Sequence, residues 1–375
     1  MNFGFTEEQV LLRDQVRKFI EQKCPMSEVR KISQTKEGMS VEHWQEMGQL
    51  GWTGLLVPED FGGAGLNWVD ALVLLEEMGR GLFPSPFISH SLACFAIAEL
   101  GTEDQKQLWL PKLASGEKIG TVALLEETDL PQLEGIQLEA KMVGDHLQLN
   151  GSKHFVSDVN TADLFIVAAR TGPQTDQVSL LIVDKKAEAV STKTQATVDK
   201  TKREGLLQFE QLKVPSTQIL GNKDGAADTI NRLFDCGAVA VTAEMIGSSE
   251  GAHALTVDYA KNRIQFDNPI GKYQGVKHPL ANMYVDIESF KSLLYYAAWC
   301  VNESPQELSK SISLAKAYAS ETVPKMGIDC LQLHGAIGYT AEYDIQLYLK
   351  RSKWARPKFG DANFHYDRVA SLGEY

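Results

Sequence analysis

Through the first third of the chain, apolar residues recur at three- and four-residue intervals, the spacing of helices packed on one face. In TEEQVLLRDQVRKFIEQ, Thr6 and Gln9 stand at capping-box spacing, and Val10, Leu11, Val16, Phe19 and Ile20 fall near one face. Pro58 with Gly62, Gly63 and Gly65 breaks that pattern in LLVPEDFGGAGLNW and predicts a loop. VDALVLLEEMGR and SLACFAIAEL then resume helical spacing, so residues 6–118 read as helices.

From about residue 119 to 222 the period shortens. GTVALLEE, DHLQLNGSKHFVS, DLFIVAAR, VSLLIVDK and LLQFEQLKV are short runs rich in Val, Ile, Leu and Phe, with Asn150-Gly151 as the strongest hairpin signal. No helix-length segments separate them, which predicts an antiparallel sheet or barrel, not a Rossmann unit. Beyond Gly225 long helical runs return over 226–262, 276–300, 306–333 and 345–354, and their short connectors predict an up-down bundle. The expectation is an α+β chain in three parts: an N-terminal helical domain (1–118), a central antiparallel β domain (119–222) and a C-terminal four-helix bundle (223–375).

Composition acts on this picture by exclusion. Hydrophobic residues at 43% and charged residues at 23% are ordinary for a globular chain, and no apolar run nears the roughly 18 residues of a membrane span. The first twenty residues are charged and periodic, unlike a secretory signal or an Arg-rich transit peptide. A net charge of −12 weighs against a nucleic-acid surface. Cys24, Cys94, Cys236, Cys300 and Cys330 are scattered without a CxxC pair, which fits reduced structural thiols and a cytoplasmic chain. The eight histidines form no ligand cluster, so no catalytic metal is expected.

Five segments carry the chemistry: VPEDFGGAGL at 57–66, ELGTEDQKQLWLPKLASGEKIGTVAL at 99–124, LNGSKHFVS at 149–157, NRIQFDNPIGKYQGVKHPLANM at 262–283 and QLHGAIGYTAEYD at 332–344. Together, and in this order, they resemble the acyl-CoA dehydrogenase family of flavoproteins across essentially the whole chain. The resemblance implies FAD as cofactor and an acyl-CoA thioester as substrate. It implies α,β-dehydrogenation with hydride transfer to flavin N5, and an electron-transfer flavoprotein as acceptor. It also implies an oligomer, typically a dimer of dimers, with FAD at subunit interfaces.

Site residues follow from the same resemblance. Arg263 and Phe266 match the family segment that reaches the FAD pyrophosphate, and Gln274 matches the contact on the adenosine side; Asp267 replaces the usual Gly. Gln332, Leu333, His334, Gly335 and Ala336 match the loop along the ADP part of FAD, and a glycine C-cap ending the preceding helix is compatible with that role. Phe155 and Ser157 match the aromatic and hydroxyl residues beside the isoalloxazine. In the loop that touches flavin and thioester, Glu126 is kept, Leu125 replaces the hydroxyl residue, and the following G-S-D is absent. Asp235 is kept on the substrate side, where Ala238 replaces a common Arg. The basic residues Lys350, Arg351, Lys353, Arg356 and Lys358 read as a solvated face.

Both positions at which the family carries its catalytic glutamate hold glycine: Gly360 near the C-terminus and Gly237 in the first bundle helix. Glycine transfers no proton, which leaves Asp361, Glu244, Asp235 and His90 as candidate displaced bases. Two readings follow. The first is a working FAD-dependent acyl-CoA dehydrogenase with a displaced base; the alternative is a non-catalytic, FAD-completing subunit of a heteromeric acyl-CoA dehydrogenase. The second accounts for the pattern of loss, since groups that reach a partner's cofactor are kept and those lining the chain's own pocket are mostly lost. An oxygen-reacting relative of the same fold is a third reading, and a length close to a dehydrogenase core weighs against it.

Overall fold

The computed structural model describes residues 5–373. Helices α1 (Glu7–Lys23), α2 (Met26–Gln34), α3 (Val41–Gln49), α4 (Trp68–Arg80), α5 (Phe87–Leu100) and α6 (Glu103–Ala114) come first. Strands β1 (Gly120–Ala123), β2 (Ala140–Val143), β3 (His146–Ser157), β4 (Leu164–Arg170), β5 (Val178–Asp184), β6 (Val190–Gln195), β7 (Glu204–Pro215) and β8 (Ile219–Leu220) follow. Then come α7 (Ala227–Asn262), the short strands β9 (Ile264–Gln265) and β10 (Asn268–Pro269), α8 (Gln274–Glu303), α9 (Pro305–His334), α10 (Ile345–Ala355) and α11 (Ala362–Leu372). The chain gathers into two compact units. A bundle unit takes in the chain up to Lys31, Trp68–Phe83 and the chain from Ala238; a β unit takes in Ile32–Asn67 and Pro84–Gly237.

In the β unit two four-stranded sheets, ordered β1-β4-β5-β8 and β2-β3-β7-β6, share one core that includes Leu147, Leu149, Phe165, Val167, Leu181, Leu207 and Phe209. All pairings in these sheets are antiparallel except β1 with β4, which run parallel. The predicted hairpin turn is misplaced. The β2–β3 turn falls at Gly144 and Asp145, while Asn150-Gly151 lies inside β3, where the register with β7 shifts between Leu149 and Gly151. Gly151 takes φ +147° there and serves a bulge, the other use that strands make of glycine.

In the bundle unit, α9 packs against α8, α10 and α11. The capping box at the start of α1 forms, with Gln9 N–H donating to Thr6 Oγ1 (3.2 Å) and Thr6 N–H to Gln9 Oε1 (3.1 Å). Val16 and Ile20 are buried, whereas Leu11 is 60% exposed and lies off the packed stripe. The basic cluster is not a solvated face throughout. Arg351 is fully buried, because its turn of α10 faces inward and its guanidinium meets the buried Glu244 of α7 (Nη1–Oε2 3.4 Å). A second, part-buried network links α1, α4, α7 and α8. Arg17 is bidentate to Glu77 (2.9 and 2.7 Å), Arg80 pairs with Glu250, and Lys291 bridges Glu76 and Glu250 at 3.0 Å each. Burial raises Glu76 to about 7 against the pull of Lys291.

Small residues let α4 and α7 approach this closely. A Cβ at Gly247 would strike the Glu76 carbonyl oxygen and stand 2.8 Å from Arg80 N, whereas one at Gly275, in the first turn of α8, meets nothing within 4 Å. Gly247→Ala is therefore expected to lower the unfolding free energy by about 3 kcal/mol in chemical denaturation. Gly275→Ala is expected to be neutral or to add about 0.5 kcal/mol.

Candidate flavin and substrate site

One group of the candidate residues belongs to the β unit. After β1 the chain turns at Leu125, whose carbonyl accepts from His154 N–H of β3 (2.9 Å). Glu126 Oε1 accepts from Gln137 N–H and Leu138 N–H (2.8 Å each) and from Lys153 Nζ (2.8 Å). Lys153 is fully buried and also donates to the Leu124 carbonyl (3.1 Å). Burial pushes its amine down to about 8, against the opposing pull of Glu126. This buried pair ties the loop after β1 to β3. Just beyond it, β3 bulges between Lys153 and Val156, and Phe155 sits at φ +52°, a sparsely populated conformation for an aromatic residue. The Ser157 carbonyl accepts from Thr121 Oγ1 (2.8 Å). Leu125, Phe155 and Ser157 are thus gathered where β1 meets β3, with Phe155 and Ser157 half-buried.

Asp235 is buried in α7. His90 is fully buried as well: its Nε2 donates to the Thr53 carbonyl (3.2 Å) and its Nδ1 accepts from Gly120 N–H (3.3 Å). Burial takes its pKa down to about 4. Both ring nitrogens serve the fold, so His90 is not a solvent-reaching base.

The bundle unit carries a second group. Between β9 and β10 a two-residue turn places Phe266 (φ +52°) and Asp267 (φ +62°) both in the left-handed region. Such turns favour Asn-Gly, and Asp267 stands where the family's glycine would relieve the strain. Phe266 is 86% exposed at the tip. Arg263 precedes this hairpin and Gln274 opens α8 after it; with Gln332 near the end of α9, these side chains are exposed and have no polar partner among the described residues. At the end of α9, Gly335 turns the chain at φ +64° into open space, leaving Gly335 and Ala336 exposed. His334 is buried, its Nδ1 donating to the Cys330 carbonyl (2.8 Å), and its ring lies on Tyr259 (centroids 4.5 Å apart). That bond leaves Nε2 as a buried acceptor without a partner. Beside Gln332 and Leu333, a cavity of about 330 Å³ opens between α8 and α9, with Asp286, Lys325 and Asp329 on its walls.

These features fit a dinucleotide cofactor. An uncommitted guanidinium suits a pyrophosphate, exposed amides suit ribose and adenine, and an open glycine lets a ligand approach the backbone.

The candidate bases are committed elsewhere. Asp361 caps α11, its Oδ1 accepting from Phe364 N–H (3.0 Å). Glu244 faces Arg351 in the core. Gly360 lies at φ +98° after Phe359 at +55°. Its carbonyl accepts from Lys316 Nζ (2.9 Å), which also donates to the Arg356 carbonyl (2.8 Å) and Ser320 Oγ (2.8 Å). Across the turn, His365 Nε2 donates to the Phe359 carbonyl (3.0 Å). Burial pushes Lys316 down to about 7, and burial together with Lys316 holds His365 near 3. Sequence reading missed Lys153 and Lys316. The available signal was position alone, since each lysine sits where the local period expects an inward-facing apolar residue.

One mixed and one antiparallel four-stranded sheet, flanked in sequence by helices that return as a long bundle, have the architecture of a flavoprotein oxidoreductase of the acyl-thioester type. The chain matches "Acyl-CoA dehydrogenase, N-terminal domain" over residues 6–117, the corresponding middle domain over 122–211 and the C-terminal domain over 223–372. It is 31% identical over 364 residues to an acyl-CoA dehydrogenase of Bacillus subtilis (strain 168), covering 93% of each chain. A chain of the solved structure described as an electron transferring flavoprotein of Acidaminococcus fermentans superposes with a TM-score of 0.90 at 28% identity, covering 99% of this chain and 98% of that one. A chain of the ChsE4-ChsE5 complex from Mycobacterium tuberculosis superposes with a TM-score of 0.89 at 25% identity, covering 99% and 98%. The chain belongs to the acyl-CoA dehydrogenase family, whose members are FAD-dependent oxidoreductases. No helix among the described residues is long and apolar enough to cross a membrane.

Lys316 has a thermodynamic signature. Between about pH 7 and about 10 the unfolded lysine keeps a proton that the buried amine has released, so unfolding takes up a proton and stability rises with pH. Lys153 adds to the rise from about pH 8. Urea denaturation between about pH 7 and 8, below the range in which the buried thiols of Cys24, Cys94, Cys236 and Cys330 work in the opposite direction, is expected to show the rise in the native chain and a clearly smaller one in Lys316→Met.

Proposed function

We propose that this chain takes part in acyl-CoA dehydrogenation as an FAD-completing subunit without a base of its own, assembled with a base-bearing relative in a hetero-oligomeric dimer of dimers. One observation carries the reading. Both family glutamate positions are glycine, and the nearby carboxylates Asp361 and Glu244 are engaged as a helix cap and as a buried ion partner. Bound FAD supplies the hydride acceptor for the β-hydrogen of the thioester. This chain's residues bind and orient it. Arg263, with Phe266 in the same segment, would hold the pyrophosphate of a partner subunit's FAD, and Gln274 and the Gln332–Ala336 turn would take its adenosine side; in the β unit, Leu125, Phe155 and Ser157 would border a flavin ring. The α-proton goes to a carboxylate of the partner subunit. The similarity to the ChsE4-ChsE5 complex supports a two-protein assembly, and the similarity to the Acidaminococcus fermentans structure supports an electron-transfer flavoprotein as acceptor. Asp235 borders the acyl-CoA, and the assembly works in the cytoplasm. The three parts are assigned as 1–118, 119–222 and 223–375.

Anaerobic titration with acyl-CoA thioesters tests this. The isolated chain, supplied with FAD, is expected to show no loss of flavin absorbance, and adding its base-bearing relative is expected to produce bleaching. Bleaching by the chain alone would contradict the proposal; its loss in Asp361→Asn or Glu244→Gln would name that residue as the base, and its retention in both would point to a different base within this chain.

A further inference from the structure

We infer that Lys316 locks the turn at Phe359–Asp361 so that position 360 has no room for a side chain: the family's base position is closed, not merely vacant. The inference deepens the subunit reading and rests on it for its meaning, though its geometry stands alone. Lys316 lies on α9 with its ammonium fully buried. It meets the Arg356 and Gly360 carbonyls at 2.8 and 2.9 Å and the Ala355 carbonyl at 3.4 Å, the acceptors that the end of α10 and the following turn leave open. While it carries its proton, the Lys316 ammonium also complements the negative end of the α10 dipole. From the other side, His365 on α11 holds the Phe359 carbonyl while its Nδ1 accepts from Ser313 Oγ (3.2 Å). Asp361 then caps α11.

Held at both ends, the chain passes through two successive left-handed residues, Phe359 and Gly360. Only glycine takes φ +98° without strain. A Cβ on residue 360 would strike the Phe364 ring and stand 2.9 Å from His365 Nε2. A glutamate placed there would have to displace Phe364 or break the His365–Phe359 bond. It would also need the turn to move, which the Lys316 bonds resist. Lys316 is thus a positioning residue: it acts through the backbone carbonyls that it holds.

A double-mutant cycle on the full-length chain, in whatever assembly it purifies, tests the lock. Gly360→Ala is expected to lower Tm by about 5 °C in the native background and by less than half of that in Lys316→Met, where the turn is free to relax. Phe364→Ala is the alternative background should Lys316→Met not fold, and it too is expected to shrink the penalty, because the struck ring is gone. Equal penalties in all backgrounds would overturn the inference. Gly360→Glu, loaded with FAD, is expected to lose stability in the same way and to show no acyl-CoA-dependent bleaching; a stable, bleaching Gly360→Glu would also overturn it. The cycle reads Tm alone, so its outcome does not depend on whether the subunit reading holds.

Discussion

An ammonium cut off from water has to be surrounded by acceptors, and in this chain that requirement shapes a critical loop in each unit. In the β unit, Lys153 gathers the Leu124 carbonyl and the Glu126 carboxylate, which fixes the loop after β1 against β3. In the bundle unit, Lys316 gathers the carbonyls that close α10. Leaving either cation without acceptors would cost several kcal/mol, so the loops have little freedom to adopt other courses. The same physics places Arg351 opposite Glu244 and Lys291 between Glu76 and Glu250.

Commitment of polar groups separates the two sides of the chemistry. Those matched to FAD are left open: Arg263, Gln274 and Gln332 engage no side chain among the described residues, and His334 presents a bare acceptor. Those that could take a proton are engaged: Asp361 in a cap, Glu244 in an ion pair, His90 in two hydrogen bonds. A side chain reserved for a ligand stays without partners in the protein, and one that holds the fold together does not. This contrast is the physical content of the subunit reading.

Much of the fold is legible in the sequence because local and global preferences agree there. The Thr6–Gln9 box, the long bundle helices and the apolar strands β4 and β5 follow their periods directly. Errors arise where one residue type serves two ends. Asn150-Gly151 has turn chemistry and is used for a bulge. Arg351 belongs to a basic run by composition, yet its turn of the helix faces a buried carboxylate. Helix α11 lies beyond the four helical runs legible in the sequence, and its start rests on the Asp361 cap. At the site, the two glycines in place of glutamate were plain from the sequence. The closure around Gly360 was not, since it depends on Lys316 and His365, distant in sequence and brought together only by packing.

The central claim is that this chain completes a flavin site without supplying a base, and native mass spectrometry of the assembly purified from its own cells addresses it most directly. The account predicts two kinds of chain in one particle, with fewer FAD molecules than chains. A particle built from this chain alone, with one FAD per chain, would contradict it.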